Sequence, residues 1–269
     1  MPSTFNANSA AAYEQVMGRW SKRLAPLLIG FVGVADGDHV LDVGCGTGSL
    51  SFTLPRAANV AAVTGIDFAR PYVDFARAAS SDARIMFQHG DACAMPFAAA
   101  SFDRAIAMLS LQFMPQPEQA VAEMQRVVRP GGVVAAAVWD SYGGMPSNRM
   151  FWDVAGMLDP DAIARRGRMY FNPIVQPGGL GALWRRVGLT DVTETTLLVR
   201  MDFANFEDYW QPIASGEAAL GQYHASLDAA AQATLRERVR AAFLGGAADG
   251  ARSFAAVALA CRGVVVACG

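Results

Sequence analysis

Glycine stands at every second position of the run Gly44-Cys-Gly-Thr-Gly48, and a short apolar segment, Val40, Leu41 and Val43, leads into it. A helical pattern begins near Ser49. Strand, glycine turn and helix in that order build a nucleotide-binding corner. Glycine lets the chain turn with positive φ and lets a ligand touch bare amides. The spacing is G-x-G-x-G and not the G-x-G-x-x-G that cradles a pyrophosphate. Asp67 closes a second apolar run, Val60–Ile66, where one carboxylate can accept both hydroxyls of a ribose. As a plain turn or helix-cap residue it would serve equally. Asp91, in Gly90-Asp91-Ala92 after a third run, suits an exocyclic amino group, with the amide of Ala92 against a ring nitrogen. The alternative for Asp91 is an Asx-turn. Met108-Leu109-Ser110 ends a fourth run, with carbonyls able to face an ammonium group. The four together outline an adenosine read by two acids, beside a turn too tight for a pyrophosphate.

These residues must be held at the carboxyl ends of strands, which is where open parallel sheets bind ligands. Arg84–Gln88, Phe102–Met108 and Val133–Trp139 read as further strands, apolar on both faces and separated by helices. Pro71 and Pro117 open two of those helices, the second with Ala120, Val121, Met124, Val127 and Val128 on one face. The pattern predicts a doubly wound α/β fold with a mostly parallel sheet. Ahead of it, residues 1–8 read as loose and Ala10–Phe31 as helical, divided at Pro26 or carrying it in a first turn. The expected organisation is an N-terminal helical flap over 1–35, a ligand-binding core over 36–140, a helical lid insertion over 141–177, and completion of the sheet over 178–269. Strands are expected at 191–200 and 253–262, with a second helical insertion at 204–245 between them.

Composition narrows the function. The 269 residues are 53% hydrophobic and 17% charged, enough for one large domain with an ample core. A net charge of −2 argues against nucleic acid or anionic lipid held by bulk electrostatics. The four cysteines, Cys45, Cys93, Cys261 and Cys268, show no C-x-x-C spacing and fit a reducing, cytoplasmic setting. No signal-peptide pattern opens the sequence, and the longest apolar run, Phe254–Cys261, is too short to span a bilayer.

The run Val40-Leu-Asp-Val-Gly-Cys-Gly-Thr-Gly48 resembles motif I of the class I S-adenosylmethionine-dependent methyltransferases. Val63-Thr-Gly-Ile-Asp67 is similar to the family's acidic ribose loop and His89-Gly-Asp-Ala92 to its adenine loop. Phe102-Asp103 resembles the start of its fourth strand, and Arg129-Pro-Gly-Gly132 its turn before the fifth. The small-molecule group that includes ubiquinone and menaquinone biosynthesis methyltransferases is the most similar. The resemblance implies a seven-stranded Rossmann-like sheet with helical lid insertions, its last two strands forming a reversed hairpin, and S-adenosylmethionine as the cofactor. It implies that Asp42, Gly44 and Gly46 hold the cofactor's amino-acid part, Asp67 its ribose, and Asp91 with Ala92 its adenine, with Cys45, Phe68 and Met108 also among the cofactor-binding residues. Tyr13 and Met17-Gly-Arg-Trp-Ser21 resemble a segment that closes over the methionine end, which places Tyr13 and Trp20 beside the cofactor.

Methyl transfer from a sulfonium is a direct displacement whose main demand is alignment. The sequence offers no dedicated base; His224, Tyr142, Tyr170 and Tyr209 are the candidates from the insertions. No metal-ligand cluster is evident. Aromatics in the insertions suggest a lid over a small, mainly apolar acceptor, or else the lid's own core. A homodimer is compatible with the sequence. The competing readings are a non-catalytic S-adenosylmethionine-binding protein and an NAD-dependent oxidoreductase. The latter predicts a third glycine in pyrophosphate register, where Ser49 and Leu50 stand.

Overall fold

The sheet is built in the order β3-β2-β1-β4-β5-β7-β6. Its strands are β1 (His39–Val43), β2 (Ala62–Asp67), β3 (Ile85–His89), β4 (Phe102–Met108), β5 (Val128–Trp139), β6 (Thr190–Phe203) and β7 (Arg252–Val264). The computed structural model describes residues 13–216 and 218–267. The expected loose segment 1–8, the start of the N-terminal flap and Cys268 lie outside them. Strands β1 to β5 pair in parallel, while β7 runs antiparallel between β5 and β6, giving the reversed hairpin. The order reverses at β1, and the carboxyl ends of β1 and β4 therefore open a crevice at the switch point.

Both faces of the central strands are buried, which is why those strands read as continuous apolar runs. Ile106, Ala135 and Ala137 face one core; Ala105, Ala107, Val134 and Ala136 face the other. The first core is covered by α1 (Arg19–Val32), the second by α4 (Pro117–Val127) and α7 (Gly179–Val187). Between them in sequence come α2 (Leu54–Ala57), α3 (Arg70–Ala79), α5 (Pro146–Leu158) and α6 (Pro160–Tyr170). Helix α3 buries Tyr72, Val73 and Ala76, and α4 buries Ala120, Val121, Met124 and Val127.

Three local expectations are corrected. Pro26 neither divides α1 nor sits in its first turn; the helix passes through it to a left-handed cap at Gly33. Leu24, Ala25, Leu28 and Ile29 are all buried on the same face, and this packing outweighs the lost backbone hydrogen bond. The carbonyl deprived of its partner belongs to the exposed Lys22. After the glycine turn the chain runs through turns, and regular helix is confined to Leu54–Ala57, with Pro55 in its first turn. Arg129-Pro-Gly-Gly132 does not precede β5 but interrupts it, where the register slips between Phe102–Val128 and Arg104–Val133. A Cβ at Gly132 would lie 2.5 Å from the Asp103 carbonyl oxygen, so the irregularity requires glycine.

The expected insertions are helical: α5 and α6 after β5, then α8 (Phe206–Ala214), α9 (Ala218–Ala225) and α10 (Ala229–Leu244) between β6 and β7. Their aromatics pack on one another. Phe206 stacks on Trp210 at 5.7 Å and Tyr209 on Phe243 at 5.3 Å, while Phe151 meets Trp152 and Tyr223 edge-on.

Candidate active site

A cavity of about 470 Å³ lies over the carboxyl ends of β1, β2, β3 and β4. The three turn glycines, all with positive φ, do different work. Gly44 has no room for a side chain, since a Cβ there would fall 2.4 Å from Cβ of Ser110. Gly48 is closed in by Phe52 and Phe87. Gly46 has nothing within 4 Å of that position and presents open backbone to the cavity. Only one of the three glycines is therefore spare for close approach by a ligand, and the other two pack the turn.

The turn is held by its neighbours. The N–H groups of Gly44 and Cys45 both donate to the Ile66 carbonyl, at 2.8 and 3.1 Å. Asp67 accepts from the Gly46 N–H at 2.8 Å and from the Ala69 N–H at 2.7 Å. Burial pushes the Asp67 carboxyl above its ordinary value, and the two amides oppose that rise. Asp42, fully enclosed at the end of β1, accepts from the Ser51 N–H at 3.1 Å and the Ser51 hydroxyl at 2.6 Å. Desolvation pushes its carboxyl up to about 7, against the Ser51 hydrogen bonds, with the charge of Asp67 adding to the rise. Buried Asp42 and half-buried Asp67 thus line one cavity, where ionised forms are costly without a cationic or hydrogen-bonding ligand.

Asp91 accepts from the Cys93 N–H at 2.8 Å, the Asx-turn that is its simplest role, and it also lines the cavity beside Ala92. The Gly90 N–H donates to the Asp67 carbonyl at 3.0 Å, tying the third strand end to the second. Phe68 stands exposed at the rim, its carbonyl against His89 Nε2. Met108 and Cys45 complete the wall. The Leu109 backbone is left-handed at φ 60°, and its carbonyl accepts from Gln112 Nε2 at 3.1 Å, so one of the carbonyls expected to face an ammonium group is already engaged.

Tyr13 reaches the cavity from the N-terminal segment and packs on Tyr72 with ring centroids 5.3 Å apart. Burial pushes its hydroxyl up to about 12. Glu14, next in the chain, accepts from Thr47 of the glycine turn and from Lys22, which moors this segment to the turn. Trp20 is placed elsewhere. It is buried against Phe203 at 5.3 Å and lines a separate, smaller cavity. Sequence reasoning did not place Tyr72 at the site and gave Ser110 only a main-chain role. The hydroxyl of Ser110 donates to the Val43 carbonyl at 2.7 Å, joining β1 to the end of β4. Its position directly after a strand end was the available signal.

Of the candidate bases, none lines the large cavity. The Tyr209 hydroxyl donates to the Ser147 carbonyl, Tyr142 packs on Tyr170, and His224 lies edge-on to Trp210. The aromatics of the insertions likewise form their own core and leave this cavity to the strand-end loops. Among the described residues there is no group of three or more His, Cys, Asp or Glu able to hold a metal, and no helix long and apolar enough to cross a membrane.

Residues 41–136, which contain the glycine turn and both acids, match the methyltransferase-domain family model. This stretch is similar to a methyltransferase domain. Among curated relatives, the domain and its surroundings are 33% identical over 179 residues to an O-methyltransferase of Penicillium expansum, covering 64% of this chain and 60% of that protein. They are 36% identical over 132 residues to 27-O-demethylrifamycin SV methyltransferase of Amycolatopsis mediterranei, covering 48% and 47%. The chain spans about half the length of the curated relatives it matches. A phosphoethanolamine N-methyltransferase of Haemonchus contortus, solved with phosphomonomethylethanolamine and S-adenosylhomocysteine, shares the fold. Its TM-score is 0.59 at 17% identity, over 96% of this chain and 57% of that one.

Proposed function

We propose that this methyltransferase domain binds S-adenosylmethionine in the 470 Å³ cavity and directs its methyl group to a small, apolar or aromatic acceptor. The observation that carries the reading is the convergence of Gly46, Asp42, Asp67 and Asp91, from three strand ends, on one cavity. The donor set fits that ligand. The buried Asp42 and half-buried Asp67 carboxylates favour a molecule that is cationic at one end and bears hydroxyls in the middle, and Arg70 is the only basic side chain among the described lining residues. A pyrophosphate would meet acids here instead of cations.

In this reading Asp42, Gly44, Cys45 and Gly46 hold the amino-acid portion, Asp67 the ribose with Phe68 at its edge, and Asp91 with Ala92 the adenine. Met108 and Tyr13 enclose the reacting end. Trp20 takes no part in holding the cofactor and belongs to the neighbouring cavity. When bound, the sulfonium supplies a methyl group already activated for displacement. The chain's contribution is positioning, for which aligned reactants can gain roughly 7–11 kcal/mol. Tyr13 and Tyr72 close one side against water, and the carboxyls among the described lining residues are those of Asp42, Asp67 and Asp91. A small-molecule acceptor, as in the ubiquinone and menaquinone group that the sequence resembles, fits a site without a basic groove. Incubating the protein with methyl-labelled S-adenosylmethionine and fractionated metabolite extract tests this: label should move into an organic-soluble product, and label appearing only in protein or nucleic acid would refute the acceptor class.

A further inference from the structure

The sheet ends at β6, a strand of 14 residues that has no neighbour on its outer side among the described residues. Its register with β7 slips only between Thr190 and Thr193, so the stretch from Glu194 to Phe203 is regular. Thr195, Thr196, Leu197, Leu198 and Val199 carry no charge, and Leu198 is 64% exposed. Sheet edges are commonly blunted by lysine, proline or a bulge, and an edge without these is a template for another strand. None of the three falls between Glu194 and Arg200.

The backbone of this edge faces outward at alternate residues. Val257, the partner of Leu198 on β7, spends its N–H on the Gly144 carbonyl and its carbonyl on the Asp140 N–H, both on the β5 side. The N–H and carbonyl of Leu198 therefore point away from β7, and by alternation so do those of Glu194, Thr196 and Arg200. Arg23 of α1 donates to the Arg200 carbonyl from outside and closes that end. The same four residues present exposed side chains, while Thr195, Leu197 and Val199 on the other face are half-buried or buried.

This edge is complementary to itself. In a second copy laid antiparallel with the two-fold axis at Leu197, Glu194 stands opposite Arg200 and Thr196 opposite Leu198, each twice. With the axis at Thr196, Glu194 would oppose Leu198; with the axis at Leu198, it would oppose Asp202. Only the register centred on Leu197 makes the two ion pairs, and opposite charges across strands are stabilising. Both side chains have capacity left. Glu194 takes the Gly181 N–H on Oε1, and its Oε2 is 3.9 Å from Arg185. Arg200, which bonds Asp202 and Ser253, is 72% exposed.

We propose that the outer edge of β6 is the surface on which two copies of this chain pair, antiparallel about a two-fold axis at Leu197, joining their sheets into one. Strands β5 and β7 separate this edge from the cavity over β1 to β4, so the proposal is independent of what the cavity binds.

The test is sedimentation velocity on the full chain, joined to disulfide trapping. Wild type should sediment as a dimer. Arg200→Glu sets like charges opposite each other on both sides of the axis and should weaken dimerisation roughly tenfold; adding Glu194→Arg to it should restore most of the loss. In Leu197→Cys the two thiols meet at the axis, where facing Cα atoms of a pair without mutual hydrogen bonds are about 4.5 Å apart, within disulfide reach. Air oxidation should lock this variant as a covalent dimer above the wild-type background. Thr193→Cys should not lock, since its two copies lie eight residues out of register, about 27 Å apart. A wild-type monomer, whether the edge stays open or residues 1–12 of the same chain cover it, overturns the proposal. A wild-type dimer that Leu197→Cys fails to lock overturns it equally, by placing the interface elsewhere.

Discussion

The carboxylate of Asp67 accepts the backbone N–H of Gly46 at 2.8 Å, so the acid at the end of β2 and the open glycine after β1 form one unit. Asp67→Ala removes the ribose acceptor and frees both the Gly46 and Ala69 amides. Hydrogen bonds to charged groups contribute about 1.5–3 kcal/mol each. S-adenosylhomocysteine affinity, read by calorimetry, should fall by roughly tenfold to a hundredfold or more for each such bond lost. Unchanged affinity would remove Asp67 from the site.

The glycines of the turn should respond differently to alanine. At Gly44 the new Cβ meets Ser110 at 2.4 Å on top of a positive φ, so Gly44→Ala should lower the melting temperature markedly. At Gly46 the space is open, so the folding cost is mainly the backbone strain of about 1–2 kcal/mol for a left-handed residue. Gly46→Ala should nevertheless weaken S-adenosylhomocysteine binding, because its methyl group points into free cavity. Equal melting temperatures for the two variants would contradict this division of labour.

Asp42 carries a pH prediction whose sign follows from its raised carboxyl, up to about 7 against an ordinary 3.8. The folded state holds this proton more tightly than the unfolded one. Its contribution to stability is complete below the unfolded value and is lost as pH rises through about 7. Asp42→Asn keeps an oxygen to accept from Ser51 but cannot ionise. The stability of this variant relative to wild type, measured by urea titration, should increase between pH 4 and pH 7. A constant difference across that range would mean that Asp42 ionises normally in the fold.

The slip in β5 gives a control outside the site. Gly132→Ala places a Cβ 2.5 Å from both the Asp103 carbonyl oxygen and a methyl of Val128. Overpacking of this kind costs typically about 1–3 kcal/mol. Stability should drop by that order while S-adenosylhomocysteine affinity in the folded protein is unchanged, as calorimetry would show.

Much of the fold was legible because a parallel sheet writes itself as apolar runs. Phe102–Met108 and the helix from Pro117 to Val127 fall where the pattern puts them. Asp67 and Asp91 were legible for a related reason: each is the polar residue that ends, or directly follows, such a run. Trp20 was not. On a helix one residue turns the side chain by about 100°, and the π-helical turn just before it shifts that phase, so Ser21 faces the large cavity and Trp20 the small one. Pro26 misled because helix continuity there is decided by the buried face of α1 and not by local propensity. The aromatics of the insertions were visible as a group, but whether Phe206, Trp210 and Tyr223 line a ligand or each other depends on tertiary packing that composition does not encode.

In the proposed function the cavity over β1, β2, β3 and β4 is an adenosyl site without a place for pyrophosphate. Thermal denaturation of the wild-type protein, alone and with saturating S-adenosylhomocysteine or NAD, tests it most directly. A ligand at a hundred times its dissociation constant stabilises the fold by about 2.7 kcal/mol. S-adenosylhomocysteine should raise the melting temperature by several degrees and NAD should leave it unchanged; stabilisation by NAD and not by S-adenosylhomocysteine would contradict the account.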